Sequence, residues 1–338
     1  MIRISASDLR KICLEALTHA SVRPDVANHV AAGLVQASLR GVDSHGVRLL
    51  PHYLRAVEAG RLNPNPTYRF EHASAGCGRL DGDHTFGHAA GAEGMGHAME
   101  LARSAGIGAV AVRNSSHFGA AAYFALLAAE QDMIGLSFTH GDSLVVPPGG
   151  RRPFFGANTI CFAAPCDEEE PFCVDMATSL VTWNKILQVR EQGKAVPAGW
   201  GTDEQGNDTQ DAQRISALYP VGGYKGFALS MMVEILCGML SGMPFGRQIV
   251  RMYADPLERK RNLGHFFMAI RIDSFIPLEE FKARIHGMMH EVRAEPPKDP
   301  GIPVQVPGDP EKRTKAERSE LGVPLSAAEL QALESLTR

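Results

Sequence analysis

The chain has 338 residues, 44% hydrophobic and 21% charged, with a formal net charge of −4 from 34 basic and 38 acidic side chains. That composition affords a sizeable core and excludes a disordered chain. The interspersed charges lack the one-sided basic excess of a nucleic-acid-binding surface. The first twelve residues, "MIRISASDLRKI", lack the apolar run of a signal peptide. The longest apolar stretch, "FALSMMVEILCGMLSGM" (227–243), carries Glu234 and falls short of a membrane span, so a buried helix is expected. The six cysteines, Cys13, Cys77, Cys161, Cys166, Cys173 and Cys237, show no C-x-x-C spacing. Reduced, buried cysteines and a cytoplasmic location are expected, with no structural zinc.

In chain order, "SDLRKICLEALTHA" has helical periodicity with Ser7 as an N-cap candidate. "RPDVANHVAAGLVQASLRG" opens on Pro24-Asp25 and stops at Gly41, and "PHYLRAVEAG" runs from Pro51 to Gly60, giving two more helices. "RLNPNPTYRF" reads as extended, because each proline biases its predecessor away from helix. The middle alternates: a buried strand over 106–114, a helix over 120–132 and a strand over 133–140. "SLVVPPGG", "TICFAAP" and "FCVDMA" are short strand-like runs. A helix is expected after Lys225, a strand over 265–273, a helix from 278, an extended surface loop over 296–310 and a last helix in "SAAELQALESL". The basic segments "ERKRN" (258–262) and "EKRTKAER" (311–318) read as solvated surface. Helices thus flank a mixed α/β centre.

Four segments hold candidate chemistry. In "DSHGVRLLPHY" (43–53), Asp43 or Ser44 can cap a turn that presents His45, Arg48 shares its face and His52 follows. The segment reads equally as a capped turn with surface histidines. In "RNSSHFGAAAYF" (113–124), His117 sits where a strand turns into a helix, the usual place of an α/β ligand site. "PVGGYKGFALSMM" (220–232) sets glycines around Lys225, which suits a phosphate or simply a tight turn. Asp175 in "VDMATS" can accept from a ribose hydroxyl or an imidazole, or cap the helix after it. No G-x-G-x-x-G, G-x-S-x-G or H-E-x-x-H motif is present, which argues against a Rossmann site, an α/β-hydrolase and a catalytic metal.

Taken together, "SHG" (44–46), "NSSHFG" (114–119), "VVPPGG" (145–150), "FAAP" (162–165), "DMATS" (175–179), "GGYKG" (222–226) and "PG" (307–308) resemble the type 2 malate/L-lactate dehydrogenase family in order and spacing. The resemblance runs from about residue 3 to the C-terminus. It implies an α+β (mixed α/β) non-Rossmann fold, with a helical domain from residues 1–72 and 275–338 and a mixed-sheet domain over 73–274. It implies a homodimer that uses NAD, or NADP, on a small carboxylate substrate, with the active site between the domains.

Carried over residue by residue, the resemblance makes His45 or His117 the acid/base and Ser44 its orienting partner. It implies substrate contacts at Arg48, His52, Tyr53 and Asn158. Cofactor contacts would come from Ser116, His117, Gly141, Asp142, Asp175, Met176, Ala177, Lys225, Phe267, Met268 and Ala269. Within the family, "PFGRQIVRMYADPLERKRNLGH" (244–265) resembles the ureidoglycolate dehydrogenases. Three positions depart from the pattern: Leu49 stands where relatives place an arginine, Ala157 where they place a threonine, and Gly141 where ureidoglycolate dehydrogenases have serine. Malate or lactate oxidation, reduction of a keto acid or cyclic imine with NADPH, and a non-catalytic ligand-binding role are the competing expectations.

Overall fold

A computed structural model describes residues 1–337. The chain opens with strand β1 (Ile2–Ile4) and helices α1 (Ala6–His19), α2 (Pro24–Leu39) and α3 (Leu50–Glu58). Strands β2 (Arg69–Ser74) and β3 (Cys77–Asp81), helix α4 (Gly87–Ala105) and strand β4 (Ile107–Ser115) follow. Next come α5 (Ala122–Ala129), β5 (Met133–Thr139), β6 (Thr159–Ala164), β7 (Phe172–Met176) and α6 (Trp183–Glu191). A two-residue pair, β8 (Gly201–Thr202) and β9 (Ala217–Leu218), precedes α7 (Tyr224–Glu234) and β10 (Leu263–Arg271). The chain closes with α8 (Leu278–Ala294), α9 (Asp309–Leu321), β11 (Val323–Leu325) and α10 (Ala327–Glu334).

Seven strands form one mixed sheet in the order β2-β3-β4-β10-β5-β6-β7, with only the β3–β4 pair parallel. Period-two alternation along β10 sends Phe267 and Ala269 to the face covered by α4 and α5, in a core with Val110, Val112 and Phe124. Phe266 points the other way, with Ala111 and Phe138, onto Val233 of α7 and Cys237 beyond it. Helix lies against both faces, which is why the central strands are mainly apolar.

The two chain ends meet. β1 pairs antiparallel with β11, Ile2 opposite Leu325. Val323, Leu325 and Leu333 join Leu9, Leu17, Leu34 and Leu50 in one helical core. α2 of this layer packs on α4, so the helical layer sits on the sheet's α4 side. By contrast α8 is tied to the sheet's connecting loops, through Lys282–Asp132 at 2.6 Å and Arg293–Glu169 at 2.8 Å.

Several local expectations change. Ser5, not Ser7, caps α1, accepting from the Asp8 amide at 3.0 Å. "SLVVPPGG" forms no strand: Val145 makes only isolated bridges, and Pro147 and Pro148 have no donors to extend them. α4 carries little helix signal in the sequence, because glycines at 87, 91, 94 and 96 lower its helix propensity. The packing explains them: a Cβ on Gly94 would stand 2.7 Å from Val112 and 2.9 Å from Phe267. The "EKRTKAER" segment lies on α9, a helix with no buried residue. In "ERKRN", Arg261 is buried rather than solvated; its Nε donates to the Val250 carbonyl at 2.9 Å. Cys77 is exposed and Cys166 half-buried, while the other four cysteines are buried. No described helix is long and apolar enough to cross a membrane.

Candidate active site

After α2, the chain turns sharply through a 3₁₀ turn at Asp43–His45. Asp43 does not cap this turn; its carboxylate takes both terminal nitrogens of Arg318 on α9, at 2.6 and 3.0 Å. The distant C-terminal helix therefore fixes the turn. Ser44 Oγ lies 2.9 Å from His45 Nδ1, so the hydroxyl holds the imidazole by one nitrogen.

The second turn arrives from the sheet. β4 ends at Ser115, and residues 116–121 lead into α5. Gly119 makes that turn with φ +77°, and a Cβ there would come within 2.4 Å of His88 Nε2. His117 stacks against His45, ring centroids 5.5 Å apart and planes 21° from parallel. Tyr53 of α3 supplies the partner, its Oη 2.7 Å from His117 Nδ1. Burial holds the Tyr53 phenol well above its ordinary pKa, so it keeps its proton and is able to donate it to His117 Nδ1. In that arrangement His117 carries its own proton on Nε2. Two turns remote in sequence thus bring their histidines together.

Both residues are half-buried, and the protein around the rings disfavours a charge on them. Burial pushes His45 down to about 4. It pushes His117 well below the ordinary imidazole value, and the neighbouring His45 adds to the effect. Two positive rings at this separation would repel, so both are neutral at neutral pH.

His45 and Ser44 stand in the wall of a cleft of about 500 Å³ between the helical layer and the sheet. Its other walls are Gln36, Arg40 and Val42, residues 119–122, residues 173–177 of β7 and after, and the 305–311 segment. The 296–310 loop is therefore not merely surface, because Gln305, Val306, Pro307 and Gly308 close this cleft. Asp175 lies on β7 and accepts the Ala122 amide at the start of α5, at 2.8 Å. It caps nothing downstream, since Thr182 caps α6. Desolvation by the surrounding protein raises its carboxyl pKa to about 6, opposed by the Ala122 amide and Arg40 and supported by Glu311. Asp175 is exposed at the cleft wall, and water there opposes the rise.

The donor set suits a dinucleotide. Val42, Met176 and Val306 are apolar surfaces for flat rings, residues 119–122 bring the start of a helix, and Asp175 and Glu311 accept from hydroxyls.

Other expected residues lie elsewhere. His52 is buried against the Tyr253 ring at 4.9 Å, and burial, then Arg61, lowers it to about 4. Arg48 is directed to Glu329 of α10, at 3.3 Å. Asn158 is buried, donating to Glu234 Oε2 at 2.7 Å and to the Ser230 carbonyl at 2.9 Å. Asp142 is engaged by Arg261 and by the Met252 amide, which fastens the 250–261 loop. Gly141, next to it, is half-buried and open, with no atom near where a Cβ would stand. Ser116 is buried beside Gly87. Lys225 is exposed at the start of α7, outside the cleft wall. Phe267 and Ala269 are core residues with no surface to offer a cofactor, and Met268 faces the α7 side.

Among the described residues, Cys166, Glu169 and His286 come within metal-ligand reach of one another. Glu169 is already claimed by Arg293 and Lys312, a poor setting for a cation. Sequence reasoning missed His88, fully buried beside Tyr53 at 5.6 Å with neither ring nitrogen partnered. It sits within an alanine- and glycine-rich helix that gave no signal.

Comparison with known proteins fits this geometry. A family described as Malate/L-lactate dehydrogenase matches residues 4–334. The chain is 37% identical to a malate dehydrogenase of Pyrococcus abyssi over 347 aligned positions, covering 100% of this chain and 94% of the relative. It is 35% identical to an NAD(+) ureidoglycolate dehydrogenase of Escherichia coli O157:H7, covering 91% and 88%. Among solved structures, the malate dehydrogenase of Entamoeba histolytica superposes with a TM-score of 0.93 at 30% identity, covering 99% and 97%. With the paired histidines, the mixed sheet and the joined chain ends, these matches show that the chain belongs to the malate/L-lactate dehydrogenase family.

Proposed function

We propose that this protein is a nicotinamide-dependent dehydrogenase of small 2-hydroxy acids, with His45 as the proton acceptor. The observation that carries the reading is the stacked His45–His117 pair, each ring held by one nitrogen, with His45 at the wall of the cleft. A bound nicotinamide would supply the hydride-accepting chemistry. The protein's own residues handle the proton. When His45 donates Nδ1–H to Ser44, its Nε2 lone pair is free to accept the substrate hydroxyl proton. His117, with its proton on Nε2, donates a hydrogen bond that steadies the same oxygen. Asp175, Met176 and Ala177, residues 119–122 and Pro307-Gly308 would hold the cofactor. Two acids in the cleft, Asp175 and Glu311, favour the ribose hydroxyl of NAD over the phosphate of NADP.

For the substrate, ureidoglycolate is supported by the 244–265 segment and by 35% identity to an enzyme of that name. Malate is the second reading, supported by 37% identity over the whole chain. Purified protein offered ureidoglycolate, malate or lactate with NAD⁺ or NADP⁺ should reduce NAD⁺ fastest with ureidoglycolate. Selective turnover of malate would move the assignment to the second reading. Oxidation of NADPH by a keto acid or cyclic imine alone would end both.

Arg48 is proposed to bind the substrate carboxylate. Its pair with Glu329 is solvent-exposed, and such pairs are weak tethers, worth about 0–1 kcal/mol. Arg48→Ala should raise KM by about tenfold or more with kcat little changed. An unchanged KM would leave Arg48 a surface residue.

A homodimer is proposed as the working form. α7 and the π-helical turn after it expose Met231, Met232, Ile235, Met239 and Leu240 on one continuous stretch, an apolar surface suited to a partner subunit. Light scattering should return twice the chain mass of 36.5 kDa; a monomer mass would contradict the proposal.

A further inference from the structure

A second cavity, of about 600 Å³, lies apart from the His45 cleft and shares no residue with it. Five arginines, Arg151, Arg152, Arg247, Arg251 and Arg259, line it against two carboxylates, Glu204 and Asp255. Asp255 is spoken for: it accepts the Arg251 amide at 2.7 Å and the Arg251 guanidinium at 2.9 Å. Among the described residues, Arg151, Arg152, Arg247 and Arg259 have no carboxylate partner, so the wall carries uncompensated positive charge. Such a concentration of guanidinium groups repels itself and is relieved by an anion.

One of these arginines is held in place, and another packs against a turn. The stem of Arg151 lies against the turn at Gly206, where a Cβ would meet its Cγ at 2.7 Å. Arg247 lies over the Phe154 ring at 5.2 Å, and its Nε donates to the Pro153 carbonyl at 2.9 Å, so its terminal nitrogens are oriented without being used. Oriented guanidinium forks match the oxygens of phosphate and carboxylate groups. From these observations we propose that this cavity is a binding site for a compact polyanion, a phosphate ester or a di- or tricarboxylate, distinct from the hydroxy-acid site. The loop that forms its floor reaches the catalytic side: Tyr253 packs on His52, and the Met252 amide donates to Asp142 at 2.8 Å.

Calorimetric titration of the full chain with inorganic pyrophosphate and with citrate, at ionic strength fixed by chloride, tests the site. Saturable binding of either is expected, weakened by at least about tenfold in Arg151→Ala/Arg247→Ala, with the melting temperature of the free protein unchanged. Binding of pyrophosphate alone identifies a phosphate ester as the occupant class, and of citrate alone a polycarboxylate. If the double variant melts lower, Arg259→Gln carries the test, with the same weakening expected. Heats equal to the chloride control, or full-strength binding in the variants, would overturn the proposal.

Discussion

His45→Ala is expected to lower turnover by about 10²-fold or more, a loss of about 2.7 kcal/mol of transition-state stabilisation, while the protein stays folded. The alanine removes the acceptor and leaves Ser44 and His117 in place. NADH binding should survive, since the cleft walls at Asp175 and Pro307 are untouched. The pH profile gives a second readout. His45 is lowered by burial from 6.5 to about 4. A neutral imidazole is the accepting form, so oxidation should hold its rate as pH falls below 6.5 and decline only nearer the lowered value. Wild-type turnover in a folded His45→Ala enzyme, or an acid limb at 6.5 in the native one, would remove His45 from the proton-transfer role.

His88→Leu should flatten the loss of stability in acid. His88 is fully buried, neither ring nitrogen has a partner, and burial, with His45 and His29 adding to it, lowers its pKa from 6.5 to about 3. Above 6.5 the folded and unfolded chains both hold it neutral, and its contribution is complete. As pH falls through 6.5 the unfolded chain takes up a proton that the folded one refuses, and stability drops until pH reaches the folded value. Each such group costs about 1.4 kcal/mol per pH unit in that window, or about 2 kcal/mol between pH 6.5 and about pH 5. Leucine neither titrates nor strands a polar atom, and near pH 7.5 the swap should cost less than about 1.5 kcal/mol. Urea midpoints at the two pH values measure the difference. An acid decline as steep in the variant as in the native protein would show that His88 is not the buried neutral base described.

The two histidine turns were legible in sequence because each carries a local signature: a short polar turn after a helix in one, after an apolar strand in the other. Their meeting was not legible from either turn alone. It depends on Tyr53 reaching His117 across 64 positions and on Arg318 holding Asp43 across 275. The central strands β4, β5 and β10 were legible as apolar runs, and β1 and β11 were not, being three residues each. α4 was hidden because the glycines that weaken it as an isolated helix are what let it lie close to the sheet. Phe267 shows a limit of another kind: strand residues share a sequence motif whether they face a ligand or the core, and only the sheet's register assigns Phe267 to the core.

A crystal structure of the protein with NADH and a 2-hydroxy acid bound together tests the assignment of His45 and the cleft most directly. The dinucleotide is expected in the cleft between residues 119–122 and the Pro307-Gly308 segment, its ribose hydroxyls toward Asp175. The substrate hydroxyl is expected within hydrogen-bond reach of His45 Nε2. Cofactor density in the arginine-lined cavity instead, or a substrate oxygen remote from both His45 and His117, would contradict the assignment.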